Sequence, residues 1–93
     1  MIRDFSCRET EGIWRGKRSR RLSPDIQAIA RRKLRMLNNA RHIDDLHIPP
    51  GNHLEALKGD RAGWYSIRIN QQWRICFQWC DGDVSGLEIV DYH

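Results

Sequence analysis

Residues 64–90, WYSIRINQQWRICFQWCDGDVSGLEIV, alternate apolar and polar side chains with a period of two, which is typical of β-strands that bury one face. The alternation is interrupted at NQQ (70–72) and at DGD (81–83), and the second break contains the Asp-Gly pair of a tight turn. This stretch therefore predicts three strands in a small antiparallel sheet.

The register of these strands follows from the requirement that their apolar residues share one face. Ile69 then pairs with Trp73, and in the last hairpin residue 75 pairs with 89 and residue 74 with 90. Arg68 and Arg74 are expected opposite each other on the uncovered face, where two guanidinium groups repel unless an anion lies between them. The register thus predicts a phosphate-binding face, and a bulge at VSG (84–86) is the feature that could shift it.

Helical signals precede the strands. In SPDIQAIARRKLRMLNNA (23–40), Ser23 is a natural N-cap, Pro24 suits the first turn, and apolar residues recur at helical spacing, so a helix is predicted over 24–38. A shorter helix is predicted in SCRETEGIW (6–14), with Ser6 and Glu9 as a capping box. The expected fold is α+β, with two N-terminal helices packed on one face of a small, mostly antiparallel sheet.

Length and composition indicate a single domain over residues 1–93, since 40% of the residues are hydrophobic and four are Trp. No apolar run approaches the roughly 18 residues of a membrane span, and the charged start lacks the pattern of a signal peptide. The three Cys give no complete disulfide framework. These features predict a cytoplasmic protein with no membrane partner.

Charge is distributed unevenly along the chain. Residues 1–41 contain 12 Lys and Arg against four Asp and Glu, whereas residues 42–93 contain four against eight. Thirteen of the 16 basic residues are Arg, which binds phosphate in a bidentate manner, so RNA is the expected partner and a solvated charged face is the alternative. The expected RNA- and ribosome-binding residues are Lys17, Arg18, Arg20, Arg21, Arg31, Arg32 and Arg35.

Three segments together, LEALKGDRAGWYSIRIN (54–70), QWRICFQW (72–79) and EIVDYH (88–93), resemble the HigB branch of the RelE superfamily of toxins. The resemblance implies a microbial ribonuclease-like fold and the toxin of a type II toxin-antitoxin system. It also implies a ribosome-dependent, metal-independent mRNA endoribonuclease that inhibits translation without a cofactor. The implied partners are messenger RNA in the ribosomal A site, ribosomal RNA and a HigA-like helix-turn-helix antitoxin.

The resemblance also implies which residues act. Lys58 and Arg74 would stabilise the phosphate, Asp91 would orient a neighbour from the opposite face, Tyr92 would stack on a base, and His93 would transfer a proton, because its pKa naturally lies near neutrality. Some members of the family have a His three residues before the Lys. This chain has Glu55 at that position and His53 two residues earlier, so either could be the missing acid–base group. Arg68, placed by the register, is a further helper.

Two other functions remain open from the sequence. A non-catalytic RNA-binding domain would explain the Arg content and Tyr92 equally well, and a co-repressor that only binds an antitoxin would not arrest growth. The segment HIDDLH (42–47) contains two His and two Asp but lacks regular metal-ligand spacing, so no metal site is predicted there.

Overall fold

The structure, a computed structural model, describes residues 1–91; Tyr92 and His93 lie outside the described residues. Within this part of the chain, the helices are α1 (Arg8–Trp14) and α2 (Pro24–Asn39), and the strands are β1 (Glu55–Ala56), β2 (Trp64–Arg68), β3 (Trp73–Cys80) and β4 (Asp83–Asp91). The strands form one antiparallel sheet in the order β1-β2-β3-β4. The predicted α+β fold is confirmed, and β1 is a further strand beyond the three predicted.

The core lies between the two helices and one face of the sheet. The helices contribute apolar residues from one stripe of α2 and from α1, and the strands contribute the residues that the period of two assigned to the buried face. The fully buried members on these helices and strands are Ile13, Ile26, Ala30, Leu34, Leu37, Ile67, Ile75, Phe77, Val84 and Leu87. We call the opposite face of the sheet, which bears Ser66, Arg74 and Cys76, the outer face.

The predicted register is confirmed. Arg68 pairs with Arg74, Ile75 with Ile89, and Arg74 with Val90. A bulge lies in the second hairpin, where Cys76 pairs with Glu88 but Gln78 pairs with Ser85. Because this bulge lies between Ser85 and Glu88, on the turn side of Glu88, the pairing of Arg74 with Val90 is unaffected.

Both predicted side-chain caps are absent from the described structure. Helix α1 begins after Cys7 and has no side-chain cap, and the backbone N–H of Ser6, from which Glu9 would accept in a capping box, donates to the carbonyl of Leu87. Ser23 is the N-cap residue of α2 but makes no side-chain cap bond. The helix itself runs one residue beyond the prediction, to Asn39.

The N-terminal residues lie beside β4 in a parallel orientation, where Ile2 bridges Val84 and Phe5 bridges Leu87. These are isolated bridges, so residues 1–5 do not form a full ladder with β4. Further along the same edge, the N–H of Ile89 donates to the Thr10 hydroxyl at 3.0 Å. The helical layer therefore satisfies part of the edge of β4.

A connection of short 3₁₀ turns links α2 to the sheet: Ile43–His47, Pro50–Asn52 and, after β1, Gly59–Arg61. Asn52 is fully buried; its amide donates to the carbonyl of Leu46 at 3.0 Å, and its oxygen accepts from Lys33. These bonds fix the chain just before His53 and Glu55. No helix among residues 1–91 is long and apolar enough to cross a membrane.

Candidate active site

A cleft of about 420 Å³ lies on the outer face of the sheet. We call it the outer cleft, and its walls come from the β1–β2 connection, the middle of β3 and the end of β4. The lining residues are Leu57, Lys58, Arg61, Cys76, Val90 and Asp91. The cleft therefore combines two cations and a carboxylate with apolar lining residues. The carboxylate belongs to Asp91, which directly precedes Tyr92 in the sequence.

Lys58 and Asp91 were both predicted to act, and both line the outer cleft. Lys58 is exposed and precedes the 3₁₀ turn that begins at Gly59. Asp91 pairs with Trp73, as parity required, but it lies at the end of β4 and accepts a hydrogen bond from the Gln72 side chain at 3.1 Å. Its strand-end position lets it line the cleft, although parity assigned it to the other face.

Arg74 is buried, and the expectation that it lies uncovered is wrong. Its side chain is only 8% exposed. Its Nε donates to the Ser66 hydroxyl at 2.8 Å, and its Nη2 donates to the carbonyl of His53. Its Nη1 lies 3.9 Å from a carboxylate oxygen of Glu55. Strand β1, the loop before it and Ser66 of β2 thus surround the guanidinium with protein oxygens.

The opposition of Arg68 and Arg74 does not require a phosphate in this structure. Arg68 turns away from its cross-strand partner and donates from Nε to the carbonyl of Asn70 at 3.0 Å. Arg74 turns towards Ser66 and His53. Because each cation has oxygen partners within the protein, the inference from like-charge repulsion is not supported.

His53 and Glu55, the two alternatives for the missing His, are both exposed and lie close to Arg74 rather than in the wall of the outer cleft. His53 has a left-handed backbone with φ of 43°, which aims its carbonyl at the Arg74 guanidinium. Glu55 is about half exposed. The structure thus brings the carboxylate of Glu55 and the backbone carbonyl of His53 to Arg74.

Arg61 is a cleft residue for which no role was predicted from the sequence. Its guanidinium lies 4.7 Å from the centroid of the Trp64 ring, a cation–π contact. The thiol of Cys76, on the cleft floor, has its pKa raised by burial and, to a lesser extent, by Glu88, while the charges of Arg61 and Arg74 act in the opposite direction. The signal that could have identified Arg61 is its place in LKGDR, three residues after Lys58.

The predicted RNA-binding residues lie on the helices and the loop between them. Gln27 of α2 holds that loop, because its side chain accepts from the N–H of Ser19 and donates to the carbonyls of Ser19 and Leu22. Arg31 is partly structural, since its Nε donates to the carbonyl of Ile13. Six of the seven are exposed: Lys17, Arg18, Arg20, Arg21, Arg32 and Arg35.

A second cleft of about 400 Å³ lies beside α1 and brings Lys17 and Arg18 next to Arg8 and Arg15. The last two residues were not predicted to bind RNA. Arg15 forms a salt bridge with Glu11 at 2.9 Å. The basic residues thus lie on the helical side of the molecule, whereas the outer cleft lies on the opposite face of the sheet.

No group of three or more His, Cys, Asp or Glu side chains among residues 1–91 is arranged to hold a metal ion. In the segment 42–47, the carboxylate of Asp45 instead accepts from the backbone N–H groups of Arg41 and His42.

Solved structures of toxins share this fold. The YoeB-YefM complex from Staphylococcus aureus contains a chain that matches with a TM-score of 0.58 at 17% identity, covering 100% of this chain and 98% of that one. A YoeB/ParE toxin from Agrobacterium tumefaciens matches with a TM-score of 0.50 at 22% identity, covering 99% and 96%. The architecture is therefore that of the RelE-like toxins.

Sequence comparison is more specific. The family described as the RelE-like toxin of the type II toxin-antitoxin system HigB matches residues 12–93. Toxin HigB-1 from Vibrio cholerae is 48% identical over 83 residues, which cover 88% of this chain and 87% of the relative. Endoribonuclease HigB from Proteus vulgaris is 50% identical over 40 residues, which cover 43% and 44%. The chain belongs to the HigB-like family of RelE-type toxins.

Proposed function

We propose that this toxin, with residues 1–93 as one domain, is an endoribonuclease that cuts messenger RNA in the ribosomal A site and so inhibits translation in the cytoplasm. The observation that carries the proposal is the outer cleft, which Lys58 and Asp91 both line; Asp91 directly precedes Tyr92 and His93 in the sequence. The endoribonuclease name of the Proteus vulgaris relative supports the reaction class.

The proposed reaction is attack of the 2′-oxygen on the adjacent phosphorus, with departure of the 5′-oxygen. A base accepts the 2′-hydroxyl proton and an acid donates a proton to the leaving oxygen, giving a 2′,3′-cyclic phosphate and a 5′-hydroxyl. Cations stabilise the charge that develops on the phosphoryl oxygens. This chemistry requires no metal ion, and the side chains proposed for the site supply both functions.

Lys58 is the proposed primary cation, since it is exposed in the wall of the outer cleft. For Arg74, we propose that Nη1 exchanges Glu55 for the scissile phosphate. The geometry favours this exchange because Nε stays fixed on Ser66 while the carboxylate, 3.9 Å away and half exposed, is a weak partner. Arg68 is proposed as a more distant helper.

His93 is the proposed proton-transfer group, Tyr92 the stacking platform for a base, and Asp91 the residue that orients them. Their roles derive from the family resemblance, and Tyr92 and His93 are outside the described residues. Glu55 and His53 are the two proposals for the remaining acid–base group. The carboxylate of Glu55 lies 3.9 Å from Nη1 of Arg74, which supports Glu55, whereas His53 contacts Arg74 through its backbone carbonyl.

The proposed partners besides the message are ribosomal RNA, which the basic residues of α2 and the preceding loop would contact, and a HigA-like helix-turn-helix antitoxin. The support for an antitoxin is the family itself, together with the YoeB-YefM complex among the structural neighbours. Expression of the toxin alone should arrest growth, and co-expression of the antitoxin should relieve the arrest. An absence of growth arrest would instead favour a co-repressor.

The direct test incubates purified protein with a programmed ribosome and, separately, with the same message free in solution, and maps the new ends. We expect cleavage only on the ribosome, abolished by a single 2′-deoxynucleotide at the cut site. A non-catalytic RNA-binding domain would produce no new ends in either sample. Metal independence is tested with a phosphorothioate at the cut site, which should slow cleavage. Rescue of the rate by a thiophilic cation would contradict a metal-independent reaction.

A further inference from the structure

Arg61 differs from the other arginines of the sheet and its flanks in what its charged group contacts. Arg3 pairs with Asp83, Arg68 bonds the carbonyl of Asn70, and Arg74 bonds Ser66 and His53. Within residues 1–91, the guanidinium of Arg61 makes no salt bridge and no side-chain hydrogen bond, and it rests on the ring of Trp64. Its N–H donors therefore remain available to a ligand.

The position of Trp64 is fixed from below. Gly86 lies in the bulged part of β4 with φ of +62°, and a Cβ at that position would be 2.5 Å from Cη2 of the Trp64 ring. Glycine thus lets the indole lie directly on the strand backbone. A ring held in this way restricts the guanidinium above it, so less conformational entropy is lost when a ligand binds.

The location of Arg61 determines what ligand would fit. Arg61 and Lys58 bracket the 3₁₀ turn at Gly59 and both line the outer cleft. Because the indole contacts the guanidinium and no described residue accepts from its N–H groups, those donors are the part left to bind. They match two oxygens of a phosphate, which an RNA backbone presents at every nucleotide.

We propose that Arg61 is a further RNA-binding residue, which contacts a backbone phosphate next to the scissile one, and that Trp64 positions its guanidinium for this contact. The inference rests on the proposed function, since it assumes that the message lies in the outer cleft. It assigns binding rather than chemistry to Arg61. The alternative is that the cation–π contact serves only stability.

The test measures cleavage of a ribosome-bound message at a series of protein and salt concentrations. In Arg61→Gln, the protein concentration that gives half-maximal rate should rise about fivefold to tenfold, with the maximal rate changing less than about twofold. The slope of its logarithm against the logarithm of salt should fall by about 0.7, as expected for one lost phosphate contact on a single strand. Arg61→Lys should restore most of the slope.

Arg41→Gln is the matched control, since it removes the same charge from an exposed residue whose carbonyl lies next to Gly82, in the β3–β4 turn. It should leave both parameters near wild type. Trp64→Leu should reproduce the Arg61→Gln change, and the double variant should show little further loss, because one interaction is removed in each case. Trp64→Phe keeps a ring on which the guanidinium can rest, so it should retain most of the wild-type salt slope. It is the variant to measure if Trp64→Leu does not fold.

If the wild-type protein cuts the message but Arg61→Gln and Arg41→Gln have equal effects, the role of Arg61 is overturned and the proposed function remains intact. A change in unfolding temperature with unchanged salt slope would also overturn it, because that result describes a structural contact alone. A wild-type protein that does not cut would contradict the proposed function itself.

Discussion

Within residues 1–91, Arg74 is held by oxygens of three other residues, all distant from it in the sequence. The hydroxyl of Ser66 lies on the neighbouring strand, the carbonyl of His53 comes from the loop before β1, and Glu55 lies on β1 itself. A buried guanidinium needs such partners, because an unpaired charge in this position would be very costly. The residue is therefore part of the structure of the site as well as a proposed part of its chemistry.

We expect Arg74→Ala to lose both stability and activity. The loss of hydrogen bonds to buried oxygens should lower the free energy of unfolding by about 1–3 kcal/mol. The activation free energy of cleavage should rise by about 2–4 kcal/mol, because a cation that stabilises the transition state is lost. Urea unfolding and single-turnover cleavage measure the two effects separately. Ser66→Ala, which removes one anchor but keeps the cation, should lose less activity. A folded Arg74→Ala protein with wild-type cleavage would remove Arg74 from the site.

At the scale of elements, the bulge in β4 connects the sheet to the cleft. It places Gly86 under Trp64, and Trp64 carries Arg61 at the cleft wall. A bulge can aim a side chain that a regular ladder would direct elsewhere. The strand pairing thus determines where a cation stands.

Gly86→Ala should destabilise the protein by about 2 kcal/mol or more, because alanine is strained at positive φ and its Cβ would collide with a rigid ring. Gly82→Ala is the control for strain alone, since φ there is +88° but its Cβ would meet only an ordinary contact at 3.5 Å. Thermal or urea unfolding compares the two variants. Equal losses would show that contact with Trp64 adds nothing.

The 3₁₀ turn Ile43–His47 depends on a carboxylate. Backbone N–H groups of Arg41 and His42 donate to Asp45 at 3.0 and 3.1 Å, and these bonds hold the pKa of Asp45 below its ordinary value of 3.8. A lowered pKa in the folded state means that ionised Asp45 stabilises the protein above the unfolded-state pKa. This contribution is lost as the pH falls through the folded-state pKa.

Asp45→Asn should therefore be less stable than wild type at neutral pH, and the difference should shrink as the pH falls below 3.8. The measurement is the free energy of urea unfolding of both proteins across that range. A difference that stays constant with pH would mean that the charge of Asp45 is irrelevant to the turn.

At the scale of the whole molecule, the predicted RNA-binding residues and the outer cleft lie on different sides. The basic loop and α2 lie on the helical side, and the outer cleft lies across the sheet. A protein that grips ribosomal RNA with one side could present the other to the message. The ribosome would then supply part of the substrate geometry, which reduces what a small catalytic set must achieve.

The variant Arg18→Gln/Arg20→Gln should bind ribosomes more weakly, by a similar factor for every message, and with a flatter salt dependence. Arg3→Gln/Arg41→Gln removes the same charge from exposed residues outside the predicted patch and should have a smaller effect. Sedimentation with ribosomes at several salt concentrations measures both. Unchanged ribosome binding by Arg18→Gln/Arg20→Gln would indicate that the basic residues of the loop and α2 form only a solvated face.

The sequence predicted the fold and register well because burial of one sheet face leaves a single parity for Ile67, Ile75 and Ile89. It did not predict the orientation of Arg74, since that depends on a carbonyl from a loop with a left-handed residue at position 53. Arg61 was missed for a similar reason, because its support by Trp64 depends on the bulge. Parity assigns a face, whereas contacts between elements determine where a long side chain points.

The central claim is that the message is cut in the outer cleft, and Lys58 tests it most directly because it is exposed there and is not needed for the core. The measurement is the single-turnover cleavage rate of ribosome-bound message at saturating protein for Lys58→Met, which keeps the length of the side chain without its charge. We expect a fall of about 100-fold, with most activity retained in Lys58→Arg. A folded Lys58→Met protein that cuts at the wild-type rate would contradict the claim.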